Sequence, residues 1–187
     1  ISILWITNLY NFLDGIDGYA ASEAILISLG MYLILNNELG IILAVTTLGF
    51  LIFNWHKASI FMGDVGSATL GFIFAVITFS DTTTEGTIYF WLIILSLFWY
   101  DATITLIRRY RNRENVTQAH RKHAYQRLTQ FGWSHSKVVL YSIVINTIFL
   151  TMLYLVDKNY WGYVFVVNMI AMLIIMRFAD SKKSFYD

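Results

Sequence analysis

Three short stretches hold most of the side chains that could do chemistry. The first reads Asn8-Leu9-Tyr10-Asn11-Phe12-Leu13-Asp14-Gly15-Ile16-Asp17-Gly18. Its two amides and two carboxylates recur at every third position, and positions i and i+3 share a helical face, so the four can converge on one point. Amide and carboxylate oxygens are hard ligands suited to Mg²⁺, which keeps several waters and bridges to substrate phosphates. Gly15 and Gly18 permit a tight turn and close backbone approach to a ligand. The plainer alternative is a polar helix end in the headgroup zone.

The second stretch runs from Asn54 through Phe61-Met62-Gly63-Asp64-Val65-Gly66-Ser67. Asp64 lies between two glycines just ahead of an apolar run, where a carboxylate could cap the coming helix. The flanking glycines also open access that a cap does not require. The third is His120-Arg121-Lys122-His123-Ala124-Tyr125-Gln126-Arg127. Arg and Lys clamp phosphates, and imidazoles add donors or shuttle protons. A basic cluster beside a membrane can equally serve anionic lipid or topology. Asp101, inside an apolar run, is read either as a partner of Arg108 or Arg109 or as part of a site. Glu23 is expected at the interface, and Trp5, Tyr10, Trp55, Trp91, Trp99, Tyr100, Trp133 and Trp161 are read mostly as interfacial belts.

These groups sit in a chain of 187 residues that is 57% hydrophobic and only 13% charged, with a mean hydropathy of +0.58. A soluble domain is typically about 25% charged and could not hide so much apolar surface. The fold class predicted is all-α, a polytopic integral membrane protein of about seven helical segments. They are Ile1–Leu13, Ala20–Leu35, Gly40–Phe53, Gly66–Phe79, Thr87–Ile107, Val138–Val156 and Trp161–Phe178. The first has no basic leader and is too short to cross a bilayer, so the chain is expected to begin inside a membrane helix. Residues 1–187 are accordingly read as the C-terminal portion of one longer transmembrane domain. The absence of cysteine excludes disulfides, thiolate metal sites and thiol nucleophiles.

Basic residues orient the segments. Residues 108–137 hold eight of the thirteen Lys and Arg. The polar breaks on their side of the membrane carry twelve in all, against Lys158 alone on the other. That split places the motifs at the cytoplasmic face of the membrane. Metal-type oxygens in two loops and phosphate-type cations in a third then fit a Mg²⁺-assisted reaction between a phosphorylated cytosolic donor and a lipid acceptor. Nucleic acid is excluded as a partner, since the basic loop lies at the bilayer surface without a binding motif. A cation-coupled transporter would place its acids near the midplane, and a non-catalytic scaffold would need no such constellation. A CDP-alcohol phosphotransferase would need an Arg after Asp17-Gly18-Tyr19-Ala20-Ala21, where none follows.

The three motifs, in this order and spacing, resemble those of the polyprenyl-phosphate N-acetylhexosamine-1-phosphate transferases. The Asn8-x-x-Asn11 and His120-Arg121-x-His123 wording is closest to the O-antigen-initiating branch. The resemblance implies transfer of a sugar-1-phosphate from a UDP-N-acetylhexosamine to undecaprenyl phosphate at the bacterial inner membrane, releasing UMP. It implies Mg²⁺ as cofactor, with Mn²⁺ as a substitute, held by Asn11 and Asp64. It implies substrate contacts from Asn8, Asp17, Asn54, Phe61 and Arg121. It also implies catalytic parts for Asp14, Asp64, His120 and His123. A homodimer is left open. Two departures stand out: Lys57 replaces the proline of the family's Asn-x-x-Pro-Ala, and the family's Asp-Asp pair has no counterpart among these residues.

Overall fold

The computed structural model describes residues 2–12, 14–80 and 86–186. Regular structure there is entirely helical: α1 Ser2–Phe12, α2 Tyr19–Leu35, α3 Leu39–Asn54, α4 Gly63–Ser80, α5 Thr87–Ile94, α6 Ser96–Arg111, α7 Ala124–Gln130, α8 His135–Leu155, a 3₁₀ turn Lys158–Tyr160 and α9 Trp161–Lys182. The two ends of the predicted Ile1–Leu13 segment, and most of the predicted Ser80–Gly86 break, lie outside the described residues. The expected all-α, membrane-like architecture is present, and among the described residues the count of about seven spans is not confirmed. By length and composition α4, α8 and 158–182 could each cross a bilayer, and a fourth span arises if α5 and α6 act as one. With 17 and 16 residues, α2 and α3 rise only about 25 Å, short of a hydrocarbon core about 30 Å thick.

The predicted helix Thr87–Ile107 is broken. Its halves bend by 67° across Leu95, although the chain has no proline. A side chain inserts instead: the Trp99 indole N–H donates to the Leu92 carbonyl at 2.8 Å, a carbonyl that a continuous helix would offer to Ser96. The Ser96 hydroxyl in turn accepts from Asn168 Nδ2 at 3.1 Å, which ties the bend to α9.

Two further expectations are corrected by burial. Glu23 is not interfacial: it is buried in α2 and bonded to Asn146 of α8, so a polar pair joins two helices inside the apolar bundle. Trp91, Trp161 and Tyr10 are core residues rather than belts, each 2% exposed or less.

The packing of α1 on α4 matters most for the motifs. A Cβ at Gly71 would lie 2.7 Å from Tyr10 Cβ and 3.0 Å from the Thr7 backbone. Only glycine lets the two helices approach this closely. Gly71 is one turn beyond Ser67 and Thr7 one turn before Asn11, so this contact brings the first two motifs together.

Candidate functional site

The first motif does not stay on one helical face. Helix α1 ends at Phe12, so Asp14 and Asp17 leave it on the connection to α2. Asn8 remains exposed on α1. The predicted single convergence of four oxygens therefore becomes two centres.

At one centre the Ser67 hydroxyl donates to Asn11 Oδ1 at 2.5 Å, across 56 positions of sequence. Helix α4 begins at Gly63, three residues earlier than predicted, so Asp64 lies exposed in its first turn. Asp14 is half-buried nearby, and its carboxyl is pushed up to about 6, first by burial and then by the negative charge of Asp64. Asp14 and Asp64 are thus close enough for their charges to interact, at the place where Asn11 meets Ser67. That donor set fits Mg²⁺, and the second charge is what a divalent cation would offset.

The second centre is built around Asp17. Its Oδ2 lies 3.0 Å from His56 Nδ1, 3.3 Å from His135 Nδ1 and 3.4 Å from the Ala58 amide. Burial works to raise the Asp17 pKa, but these hydrogen bonds outweigh it and hold the carboxyl below its usual range. Asn54, buried at the end of α3, accepts from the Gly18 amide at 3.0 Å and donates from Nδ2 to the Ile60 carbonyl at 2.9 Å. Its carboxamide thus clamps the first loop to the second. Phe61, by contrast, is 73% exposed, a ring open to a stacking partner.

The basic loop is shaped by its own ion pairs. Asp101 pairs with neither Arg108 nor Arg109, contrary to one of its two readings. Both its oxygens accept from the Ala124 amide, at 3.0 and 2.9 Å, capping α7, and the Thr105 hydroxyl donates to it at 3.1 Å. Arg108 instead grips Asp180 of α9 through both nitrogens, at 2.8 and 2.9 Å, and Arg127 joins it at 2.5 Å. Arg109 is buried and gathers Glu114 and the carbonyls of Asn115, Val116 and Gln118. Lys122 bonds Glu114 at 2.8 Å. His123 is buried with its Nδ1 3.6 Å from Asp101, too far for a hydrogen bond. Among the described residues the Arg121 guanidinium has no ion pair, and it is exposed.

Tyr125 joins this loop to the first motif. Its hydroxyl donates to the Phe12 carbonyl at 3.3 Å and would lie only 2.1 Å from a Cβ at Gly15. Gly15 is therefore required for the contact. All three motifs, with the start of α8 and the end of α9, meet at one end of the bundle, as the sidedness of the basic residues predicts. His56 and His135 belong to that end too, although the three motifs assign neither of them a part. Their only signal was their placement among the polar breaks on the basic side.

His120 is a neutral group at physiological pH: burial first, then the neighbouring His123 and Arg109, push its pKa down to about 4. The unfolded chain takes up a proton on this residue near 6.5, while the folded chain resists until about 4. Its contribution to stability is thus complete above pH 6.5 and lost as pH falls toward 4. The melting temperature of the purified protein should decline across that window, and His120→Gln should flatten the decline.

Comparisons with known proteins bear on this end of the molecule. The family model for glycosyl transferase family 4 matches residues 1–81, which contain the first two motifs. A Bacillus subtilis protein named "Probable undecaprenyl-phosphate N-acetylglucosaminyl 1-phosphate transferase" is 34% identical over 183 residues, covering 89% of this chain and 51% of that protein. A decaprenyl-phosphate N-acetylglucosaminephosphotransferase of Mycobacterium tuberculosis is 31% identical over 167 residues, 72% of this chain and 41% of its own length. A phospho-N-acetylmuramoyl-pentapeptide-transferase of Streptococcus thermophilus is 41% identical over 86 residues, 41% of this chain and 25% of that protein. The chain thus spans about half the length, or less, of these curated relatives. No solved structure is matched by the chain.

Proposed function

Because the chain belongs to the polyprenyl-phosphate N-acetylhexosamine-1-phosphate transferase family, we propose that it supplies the nucleotide-sugar site of a membrane enzyme of this kind. In the proposed reaction an oxygen of undecaprenyl phosphate attacks the sugar-bearing phosphorus of a UDP-N-acetylhexosamine. The phosphoanhydride bond breaks, and UMP leaves. The observation that carries this reading is the meeting of Asn11 and Ser67, which sets Asp14 and Asp64 within reach of each other's charge. Mg²⁺ held by Asn11 and Asp64, with Mn²⁺ as a substitute, would supply charge neutralisation on the diphosphate.

The remaining work falls to this chain's own side chains. Asp14, titrating about 6, is matched to the second ionisation of a phosphate monoester and can hold the proton of the acceptor phosphate. Asp17 and the exposed Phe61 ring flank the loops that Asn54 clamps, and they would receive the nucleoside. His120 is neutral and donates a hydrogen bond without adding charge. His123 packs beside it, the two rings 4.8 Å apart, and Arg121 brings a cation free of ion pairs to the diphosphate. Asn8, exposed on α1, sits at the rim.

The wording of the motifs favours an O-antigen-type initiating transferase. The relatives matched over most of the chain, named for N-acetylglucosamine, support a simple amino sugar over a muramoyl pentapeptide. The test is UMP release by the full-length protein, with Arg121→Ala set against Arg111→Ala and Arg113→Ala. Arg121→Ala should lower kcat/KM more than about tenfold, roughly 1.4 kcal/mol. The two solvated controls should change it by less than about twofold. Equal small effects at all three positions would leave the loop as a topology signal.

The motif-bearing end is proposed to face the cytoplasm of the inner membrane. A cysteine at Lys158 should then react with an impermeant thiol reagent in intact cells, and a cysteine at Lys137 should not. The reverse pattern would move the site to the other side.

A further inference from the structure

Asp17, His56 and His135 come from three separate segments: the α1–α2 connection, the α3–α4 connection and the first residue of α8. Their ligand-capable atoms, Asp17 Oδ2, His56 Nδ1 and His135 Nδ1, all lie within 4.8 Å of one another. The two Asp–His separations are 3.0 and 3.3 Å. Neighbouring ligands of a tetrahedral ion with bonds of 2.0–2.1 Å stand about 3.3 Å apart, so two edges of such a polyhedron are already in place. The Asp17 amide N–H also lies 3.3 Å from His135 Nδ1, a hydrogen bond that this nitrogen would exchange for the metal. His56 and His135 side chains are 35% and 36% exposed, leaving room for water in the open positions.

We propose that Asp17, His56 and His135 form a second metal site, for a borderline cation of the Zn²⁺ or Co²⁺ class rather than Mg²⁺. Two imidazoles and one carboxylate suit Zn²⁺ and its neighbours, whereas Mg²⁺ prefers oxygen-only sets such as that at Asn11 and Asp64. The two centres therefore sort their metals by ligand chemistry although they share one loop. A metal bound here staples the two connections to α8. It also consumes the carboxylate that the proposed function gives to the nucleoside, so metal occupancy and nucleotide binding exclude each other. That last consequence rests on the proposed function, but the metal site itself does not.

The experiment uses the full-length protein in detergent, stripped of metal and held in excess Mg²⁺. It is titrated with Co²⁺ and then Zn²⁺, followed by calorimetry and by the visible absorption of Co²⁺. One saturable Co²⁺ per chain, displaced by Zn²⁺, is expected. His56→Ala and His135→Ala should each weaken binding by at least about tenfold. The absence of saturable binding, or binding unchanged in both variants, would overturn the site. Melting curves recorded without metal check folding. If an alanine variant unfolds, His56→Gln and His135→Gln keep a hydrogen bond to Asp17 while discarding the imidazole, and they should show the same loss. UDP added to the Co²⁺-loaded protein should displace the ion. Co²⁺ retained alongside bound UDP would leave the metal site standing and overturn the exclusion, and with it the placement of Asp17 against the nucleoside.

Discussion

Asp64→Asn should reduce sugar-phosphate transfer by the full-length protein to less than about a thousandth, a loss of roughly 4 kcal/mol of transition-state stabilisation. The melting temperature should stay within a few degrees of the parent. The two readouts separate because of where Asp64 sits. It is exposed in the first turn of α4, and among the described residues its carboxylate makes no hydrogen bond or ion pair. Its structural value is then confined to the helix dipole, about 0.3–1 kcal/mol, and asparagine is itself a good residue at a helix start. Its chemical value is the charge already felt by Asp14. Retained turnover in Asp64→Asn would reduce Asp64 to a helix-end residue.

Asp101 should behave in the opposite way, with stability and activity falling together. Asp101→Ala leaves the Ala124 amide and the Thr105 hydroxyl without their acceptor in a buried setting, which costs about 3 kcal/mol in all. Asp101→Asn keeps one acceptor oxygen and should cost about 1 kcal/mol. Because α7 begins at Ala124, next to His123, its uncapping should also displace the third motif and lower transfer. Thermal melting and UMP release on the same preparations check both effects. An Asp101→Ala protein with normal stability would mean that another group caps α7.

The helices were legible from hydropathy because lipid-facing sequence is monotonously apolar. The broken span was not. A bend without proline depends on the Trp99 indole reaching the Leu92 carbonyl, and nothing in the one-dimensional pattern announces that reach. The motifs were legible as residue types, since a run of amides and acids beside glycine is rare in apolar sequence. Their geometry was misjudged, because the i, i+3 rule holds only while the helix continues, and α1 stops at Phe12. The partner of Asp101 was missed for a related reason. Arg108 and Arg109 are its sequence neighbours, but Asp180 and Glu114 claim them across the tertiary fold. His56 and His135 lie 39 and 118 positions from Asp17 in sequence, so only packing could reveal that they share it.

The clamp made by Asn54 bears on how this end of the molecule tolerates change. Its oxygen is committed to the Gly18 amide and its nitrogen to the Ile60 carbonyl. Aspartate lacks the donor, serine lacks the length, and glutamine carries an extra methylene into a buried space. In a saturation library selected for the proposed sugar-phosphate transfer, codon 54 should therefore emerge nearly monomorphic, while codons for the exposed Arg111 and Arg113 drift freely. Two loops separated by a helical hairpin would then vary as one heritable unit, because a single carboxamide has to satisfy both.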